Sequence, residues 1–185
     1  MTEFLNPEKV LKQLKLREDM IAADFGCGSG GWVLPLARKL DGGKVYAIDI
    51  LEEPLSALRA KAKIAKIENV ETIKLDVEKG TSLLEGSCDL VLMTNLLFEV
   101  EDKKKVLEEG KRILKKGGRI LVVDWKKEAA LGPKEGKVSP EEIKEIATEI
   151  GLKIEKPASY RPARSGTGAG EFEASPYHYG LILLK

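Results

Sequence analysis

Short apolar runs alternate along this chain with stretches in which apolar residues return every three or four positions. Met20 to Ala23, Lys44 to Ile50, Val70 to Leu75, Cys88 to Thr94, Arg119 to Asp124, Leu152 to Glu155 and His178 to Leu184 have the length and composition of strands. Cys88 to Thr94 (Cys-Asp-Leu-Val-Leu-Met-Thr) is apolar almost throughout, as expected of a strand buried on both faces in a parallel sheet. Helical spacing fills the gaps. Val10, Leu11 and Leu14 follow the cap Asn6-Pro7-Glu8, Trp32 to Leu40 ends at Asp41-Gly42-Gly43, and Glu52 to Lys66 carries Leu55, Leu58, Ala62 and Ala65 on one face. A further helix spans about Glu101 to Leu114, before the turn Lys115-Lys116-Gly117-Gly118. Another starts at Ser139-Pro140-Glu141-Glu142 and stops at Gly151. Seven strands alternating with helices predict one doubly wound α/β domain over residues 1–185, with right-handed crossovers. Pro157 to Ser175, rich in Pro, Gly, Ser and Ala, reads as a mobile loop or disordered insertion.

The most informative stretch is Asp24-Phe25-Gly26-Cys27-Gly28-Ser29-Gly30-Gly31. It joins the first strand to the helix that starts near Trp32. Glycines let the backbone turn sharply and let a ligand lie against it, while the free N–H groups of the helix start face the same point. Gly26, Gly28 and Gly31 satisfy the G-x-G-x-x-G spacing of dinucleotide binding; Gly26, Gly28 and Gly30 give G-x-G-x-G behind an acidic residue. A bare turn that binds nothing is the bland alternative. Asp24 argues against it, because a carboxylate ending a buried strand is costly without a partner. Asp49 and Asp76 end the next two strands in the same way. Asp49 stands 21 positions after Gly28, near the ~20 expected of an acidic residue that binds ribose hydroxyls.

Composition narrows the field. Hydrophobic residues at 43% and charged residues at 33% describe an ordinary globular protein, and a formal net charge of +1 leaves no footprint for nucleic acid. No run reaches the length of a membrane span and the N-terminus lacks a signal peptide's apolar stretch, so the expected location is cytoplasmic. Two cysteines outside any C-x-x-C pair and a single histidine predict no metal site, and Cys27 has no local base to make it a nucleophile.

Taken together, these motifs resemble those of the class I S-adenosylmethionine-dependent methyltransferases over nearly the whole chain. Asp24 to Gly30 matches the family's first motif. Asp49, Asp76, the Asp89 to Asn95 strand and the Lys116-Gly117-Gly118 turn match the later ones. In detail the chain is similar to small stand-alone members related to the ubiquinone and menaquinone biosynthesis methyltransferases. The resemblance implies a Rossmann-like seven-stranded sheet whose last strand is antiparallel, with S-adenosyl-L-methionine as cofactor and a small-molecule acceptor, a quinone precursor or phenol-like compound. It implies that Gly26, Gly28 and Gly30 let the methionine part approach, that Asp24 fixes the turn, and that Asp49, with Ile50 beside it, binds the ribose. Asp76 and Val77 would hold the adenine, and Asn95 would lie beside the methionine moiety. Asn95 is followed by Leu96-Leu97-Phe98, unlike the Pro-Pro-aromatic run of the family's amino-methylating nucleic-acid enzymes.

An antiparallel last strand would bring its start, Pro176-Tyr177-His178-Tyr179, to the same edge as Asp24, Asn95 and Asp124. His178, with Tyr177 as its neighbour, is thus the candidate base for an acceptor that must lose a proton; a hydrogen-bonded turn histidine is the alternative. Phe98 and Trp125 are candidate pocket walls, and Glu99 and Glu101 are read as serving a helix start. Tyr160, Arg161, Arg164 and Glu171 fall on the long loop, 157–176, expected at the active edge. Two other functions stay open at this stage: a nicotinamide-dependent oxidoreductase, and a cofactor-binding partner subunit without catalysis.

Overall fold

The computed structural model describes residues 5–157 and 170–185. After α1 (Pro7–Leu11) the chain alternates: β1 (Ile21–Phe25), α2 (Val33–Lys39), β2 (Lys44–Asp49), α3 (Glu52–Ile64), β3 (Val70–Lys74), a 3-10 turn (Val77–Lys79), then β4 (Cys88–Thr94) and α4 (Lys103–Ile113). β5 (Leu114–Trp125), α5 (Pro140–Glu149), β6 (Lys153–Glu155), β7 (Glu171–Ser175) and β8 (His178–Leu184) complete it. Strands pair in the order β3-β2-β1-β4-β5-β8-β6. β1 to β5 are parallel, and β8 runs antiparallel to β5 and to β6.

β1 pairs with β2 on one side and β4 on the other, so the chain reverses direction across the sheet at the carboxyl end of β1. In open α/β sheets such a reversal leaves a crevice. The glycine turn sits there. Helices cover both faces, as the alternation requires. Val10, Leu36, Leu55 and Leu58 from α1 to α3 pack with Ala22, Leu90 and Leu92, while Val106, Ile113, Ile143 and Ala147 from α4 and α5 pack with Val91, Met93 and Val122 on the other face.

Caps follow the chemistry read from sequence at two helices. Asn6 Oδ1 accepts from Lys9 N–H at 3.2 Å and Ser139 Oγ from Glu142 N–H at 3.2 Å. At α4 the cap is Asp102, whose Oδ1 accepts from Lys105 N–H at 3.0 Å, so neither Glu99 nor Glu101 is the cap. Lys115 to Gly118 lies inside the β5 pairing instead of before it: Leu114 pairs with Cys88 and Arg119 with Leu90, with a bulge between.

The segment read as one long loop contains β7. Glu171–Ser175 pairs antiparallel with β8 through the two-residue turn Pro176-Tyr177, so β6 and β7 share one edge of β8 and eight segments fill seven sheet positions. Its small and polar residues hid a strand whose Phe172 and Ala174 pack on the α1 side of the sheet. Glu171 pairs with Lys144 at 3.1 Å; Tyr160, Arg161 and Arg164 lie outside the described residues. Among the described residues no helix is long and apolar enough to cross a membrane.

Candidate cofactor site

Three glycines of the turn have left-handed backbone: φ is +69° at Gly26, +50° at Gly28 and +88° at Gly30. Side chains other than glycine rarely accept that conformation. The turn is tied to β2 by Cys27 N–H, which donates to Ile48 O at 3.0 Å, and by Gly28 N–H, which donates to Asp49 Oδ2 at 2.8 Å. Leu51 N–H donates to Asp49 Oδ1 at 2.9 Å, so each oxygen of the Asp49 carboxylate is held by one backbone donor. A carboxylate has about four acceptor positions. Asp49 therefore keeps acceptor capacity for a ligand.

A cleft of about 420 Å³ opens above this turn, between the ends of β1, β2, β3 and β4. Gly26, Gly28, Asp49, Ile50, Asp76, Val77 and Asn95 all line it; Asp24 and Gly30 do not. A Cβ added at Gly28 would meet nothing within 4 Å, so this residue borders open space. One added at Gly30 would run into Leu58, which puts this glycine in the packing of α3 against the turn. Leu51, Pro54, Leu75, Thr94, Leu96 and Glu99 also line the cleft and were not singled out as cofactor residues from sequence. They flank the strand-end positions that were, so adjacency was the available signal.

Charge in the cleft is of one sign. Asp49, Asp76, Glu78 and Glu99 line it, and among the described residues no lysine or arginine does. Asp76 caps the 3-10 turn, accepting from Glu78 N–H at 3.1 Å, and its hydrogen-bonded Lys79 partner at 3.0 Å holds its carboxyl below the usual range. Beneath the glycine turn, Asp24 is 0% exposed and neither carboxyl oxygen has a partner. Burial first, and the Asp49 carboxylate second, push its pKa well above the usual carboxylate value. Asn95 takes a left-handed φ of +51° and leaves Oδ1 buried without a partner. Buried acceptors with no donor are rare and point to a missing one. A ligand with cationic and N–H groups fits these acceptors. The Cys27 thiol is pushed up by burial and then by Asp24 and Asp49, which keeps it protonated and unfit as a nucleophile.

Asp124 was seen in the sequence only as the end of a strand. Its buried side chain accepts from Leu97 N–H at 3.0 Å and from Trp125 N–H at 2.8 Å, and so pins the turn after β4 that carries Asn95. Burial raises its pKa to about 6 against the lowering effect of those N–H donors. A fourth strand-end aspartate was the signal.

β8 does bring His178 to the carboxyl edge, opposite Trp125 in the ladder. There it is 3% exposed, with its ring centroid 4.1 Å from that of Trp125, and it does not line the cleft. Nδ1 and Ser175 Oγ are 2.8 Å apart, while Nε2 is buried without a partner. Burial, then the positive Lys126, lower its pKa to about 4, so the ring is neutral at physiological pH. Tyr177 is half-buried in the β7–β8 turn, its N–H donating to Ser175 Oγ at 3.1 Å. Phe98 and Trp125 also stay out of the cleft; Gly132 packs on the Trp125 indole, where a Cβ would come within 2.6 Å of Cδ2.

The chain is similar in sequence and fold to known proteins. A S-adenosylmethionine-dependent methyltransferase structure from Aquifex aeolicus superimposes with a TM-score of 0.83 at 30% identity, over 97% of this chain and 89% of that one. Demethylmenaquinone methyltransferase of Staphylococcus aureus is 31% identical over 103 residues, 55% of this chain and 42% of its own. A Methanocaldococcus jannaschii protein named "Probable cobalt-precorrin-6B C(15)-methyltransferase (decarboxylating)" is 31% identical over 97 residues, 51% of this chain and 52% of its own. The chain thus spans about half the length of these curated relatives or less. A methyltransferase domain model matches residues 23–122, from β1 through most of β5. That match takes in the glycine turn and the cleft, and it carries the conclusion that the chain belongs to the S-adenosylmethionine-dependent methyltransferase family.

Proposed function

We propose that this protein transfers a methyl group from S-adenosyl-L-methionine to a small molecule, a quinone precursor or related phenol-like acceptor. The observation that carries the reading is the acidic cleft at the glycine turn, lined by four carboxylates and by the unpartnered Oδ1 of Asn95, which suits a cationic nucleoside derivative. When bound, the cofactor supplies a methyl group on positively charged sulfur. Asp49, oriented by Gly28 and Leu51, would accept from the ribose hydroxyls; Asp76 and Val77 would hold the adenine, and Asn95 would lie beside the methionine moiety, with Asp24 fixing the turn and reaching the amino group indirectly. Fixing these donors and acceptors before binding lowers the ordering cost of a reactive geometry. Support for the acceptor class comes from the 31% identity to a demethylmenaquinone methyltransferase.

The proton-accepting role of His178 is part of the proposal. With Nδ1 engaged by Ser175, Nε2 is the nitrogen left to take a proton, and because it is buried outside the cleft the β7–β8 turn that carries Tyr177 has to shift for an acceptor to reach it. Calorimetric titration with S-adenosylhomocysteine and, in parallel, NADH tests the cofactor. Binding of the first alone is expected; binding of NADH alone would overturn the reading. Transfer of labelled methyl to a panel of phenols, quinol precursors and amines then tests the acceptor class.

A further inference from the structure

We propose that capture of S-adenosylmethionine by this protein is coupled to the release of one proton from the Asp24 carboxyl. The inference rests on the cofactor reading above and adds a proton to its binding equilibrium. Asp24 is the next-to-last residue of β1, in the middle of the sheet, fully buried, with both oxygens unpartnered.

Among the described residues one cation reaches the turn, Lys61 of α3, and its Nζ donates to Ser29 O at 3.1 Å and to Ser29 Oγ at 2.9 Å; the other elements around Asp24 bring none. β2 presents Asp49, a second carboxylate; β4 presents Leu92, its ladder partner, and Thr94; the turn presents the Cys27 thiol; and the buried face of α2 is Val33, Leu36 and Ala37. Asp124 belongs to the opposite sheet face, since alternation groups it with Val122 and groups Asp24 with Ala22. A buried carboxyl with no donor, no paired cation and a negative neighbour is stable as the neutral acid. Burial and Asp49 both raise its pKa accordingly.

S-Adenosylmethionine brings two positive charges, a sulfonium and an α-ammonium, and one carboxylate. Among the described residues no lysine or arginine lines the cleft to oppose them. The cleft is lined by the carboxylates of Asp49, Asp76, Glu78 and Glu99; Asp49 is held by two N–H groups with acceptor capacity left, and Asp76 is paired with Lys79. Asp24, beneath the turn that borders these carboxylates, is held neutral in the absence of ligand by burial and by Asp49, and a cation arriving in the cleft favours its ionised form. Balanced, the step is neutral Asp24 plus cationic ligand going to ionised Asp24 with bound ligand, and the proton passes to solvent. Affinity then rises by about tenfold per pH unit below the pKa of the ligand-free carboxyl and levels off above it.

The test is calorimetry of S-adenosylmethionine binding in buffers of different ionisation enthalpy, from about pH 5 to about pH 9, where linkage predicts the change. The dependence of observed enthalpy on buffer should report close to one proton released at the acid end, declining to none at the alkaline end. Asp24→Asn should bind without release and with flat pH dependence. Infrared difference spectra of the wild-type protein give a readout that needs no variant: the C=O stretch of a protonated carboxyl should vanish on saturation. Binding with no proton release at any pH, or a difference spectrum in which saturation removes no protonated-carboxyl band, overturns the coupling. Absence of binding to either S-adenosylmethionine or S-adenosylhomocysteine overturns the cofactor reading itself.

Discussion

Gly28 and Gly30 occupy adjacent positions of one motif, and the structure assigns them different work, which alanine at each position separates. Both have positive φ, so a side chain at either costs about 1–2 kcal/mol of backbone strain. At Gly30 the new Cβ also collides with Leu58, which is itself fully buried and has no room to retreat; overpacking of this kind adds about 1–3 kcal/mol. Each kcal/mol shifts Tm by about 2–4 °C in a domain of this size. Gly30→Ala should therefore lower Tm by about 4–20 °C and Gly28→Ala by about 2–8 °C. Binding should respond in the opposite order. The Gly28 Cβ projects into open space bordering the cleft, where a ligand packed on the turn meets it at about the same 1–3 kcal/mol, a rise in Kd of about 5- to 150-fold. Thermal melts with and without saturating S-adenosylhomocysteine read both quantities: the ligand-induced rise in Tm persists in Gly30→Ala and shrinks in Gly28→Ala. A Gly30→Ala protein of normal Tm that fails to bind, or a Gly28→Ala protein of unchanged Kd, would refute the division.

Other consequences follow from the site. Asp49→Ala removes the acceptor held by Gly28 and Leu51, and losing a charged hydrogen-bond partner at about 1.5–3 kcal/mol should raise Kd for S-adenosylhomocysteine about 10- to 150-fold by calorimetry; unchanged affinity would sink the ribose assignment. Asp124 has a folded pKa of about 6 against an ordinary 3.8, so the native state holds its proton longer than the unfolded chain. That contribution to stability is complete below the unfolded pKa and is lost as pH rises through 6. Denaturant unfolding of wild type against Asp124→Asn should show their stability difference shifting by on the order of 2–3 kcal/mol between about pH 4 and about pH 7. A constant difference would mean Asp124 is ionised throughout. For His178→Ala, kcat should fall by about 10²- to 10⁴-fold with Kd for S-adenosylhomocysteine unchanged, the signature of a lost proton acceptor; unchanged turnover disposes of the base assignment.

What the sequence determined by itself is everything set by local chemistry. Apolar runs ending in Asp24, Asn95 and Asp124 needed only period and length to be read as strands, because burial on both faces leaves no room for polar residues inside them. Glycine at positions 26, 28 and 30 announced left-handed backbone, since few other residues accept it. Strand-end positions then placed Asp49, Asp76 and Asn95 in one cleft without any contact being known. β7 escaped because its Glu-Phe-Glu-Ala-Ser follows a Gly-rich stretch, and only the length of β8 left an edge for it to pair with. Three things were decided by tertiary structure alone. Gly30 became a packing residue because Leu58 of α3 arrives against it. His178, at the expected edge, turned its ring onto Trp125 and lost its charge to burial. Asp24 acquired its orphaned carboxyl because the elements that surround it, distant in sequence, bring its oxygens no partner. Burial and charge are sums over neighbours, and neighbours are chosen by the fold.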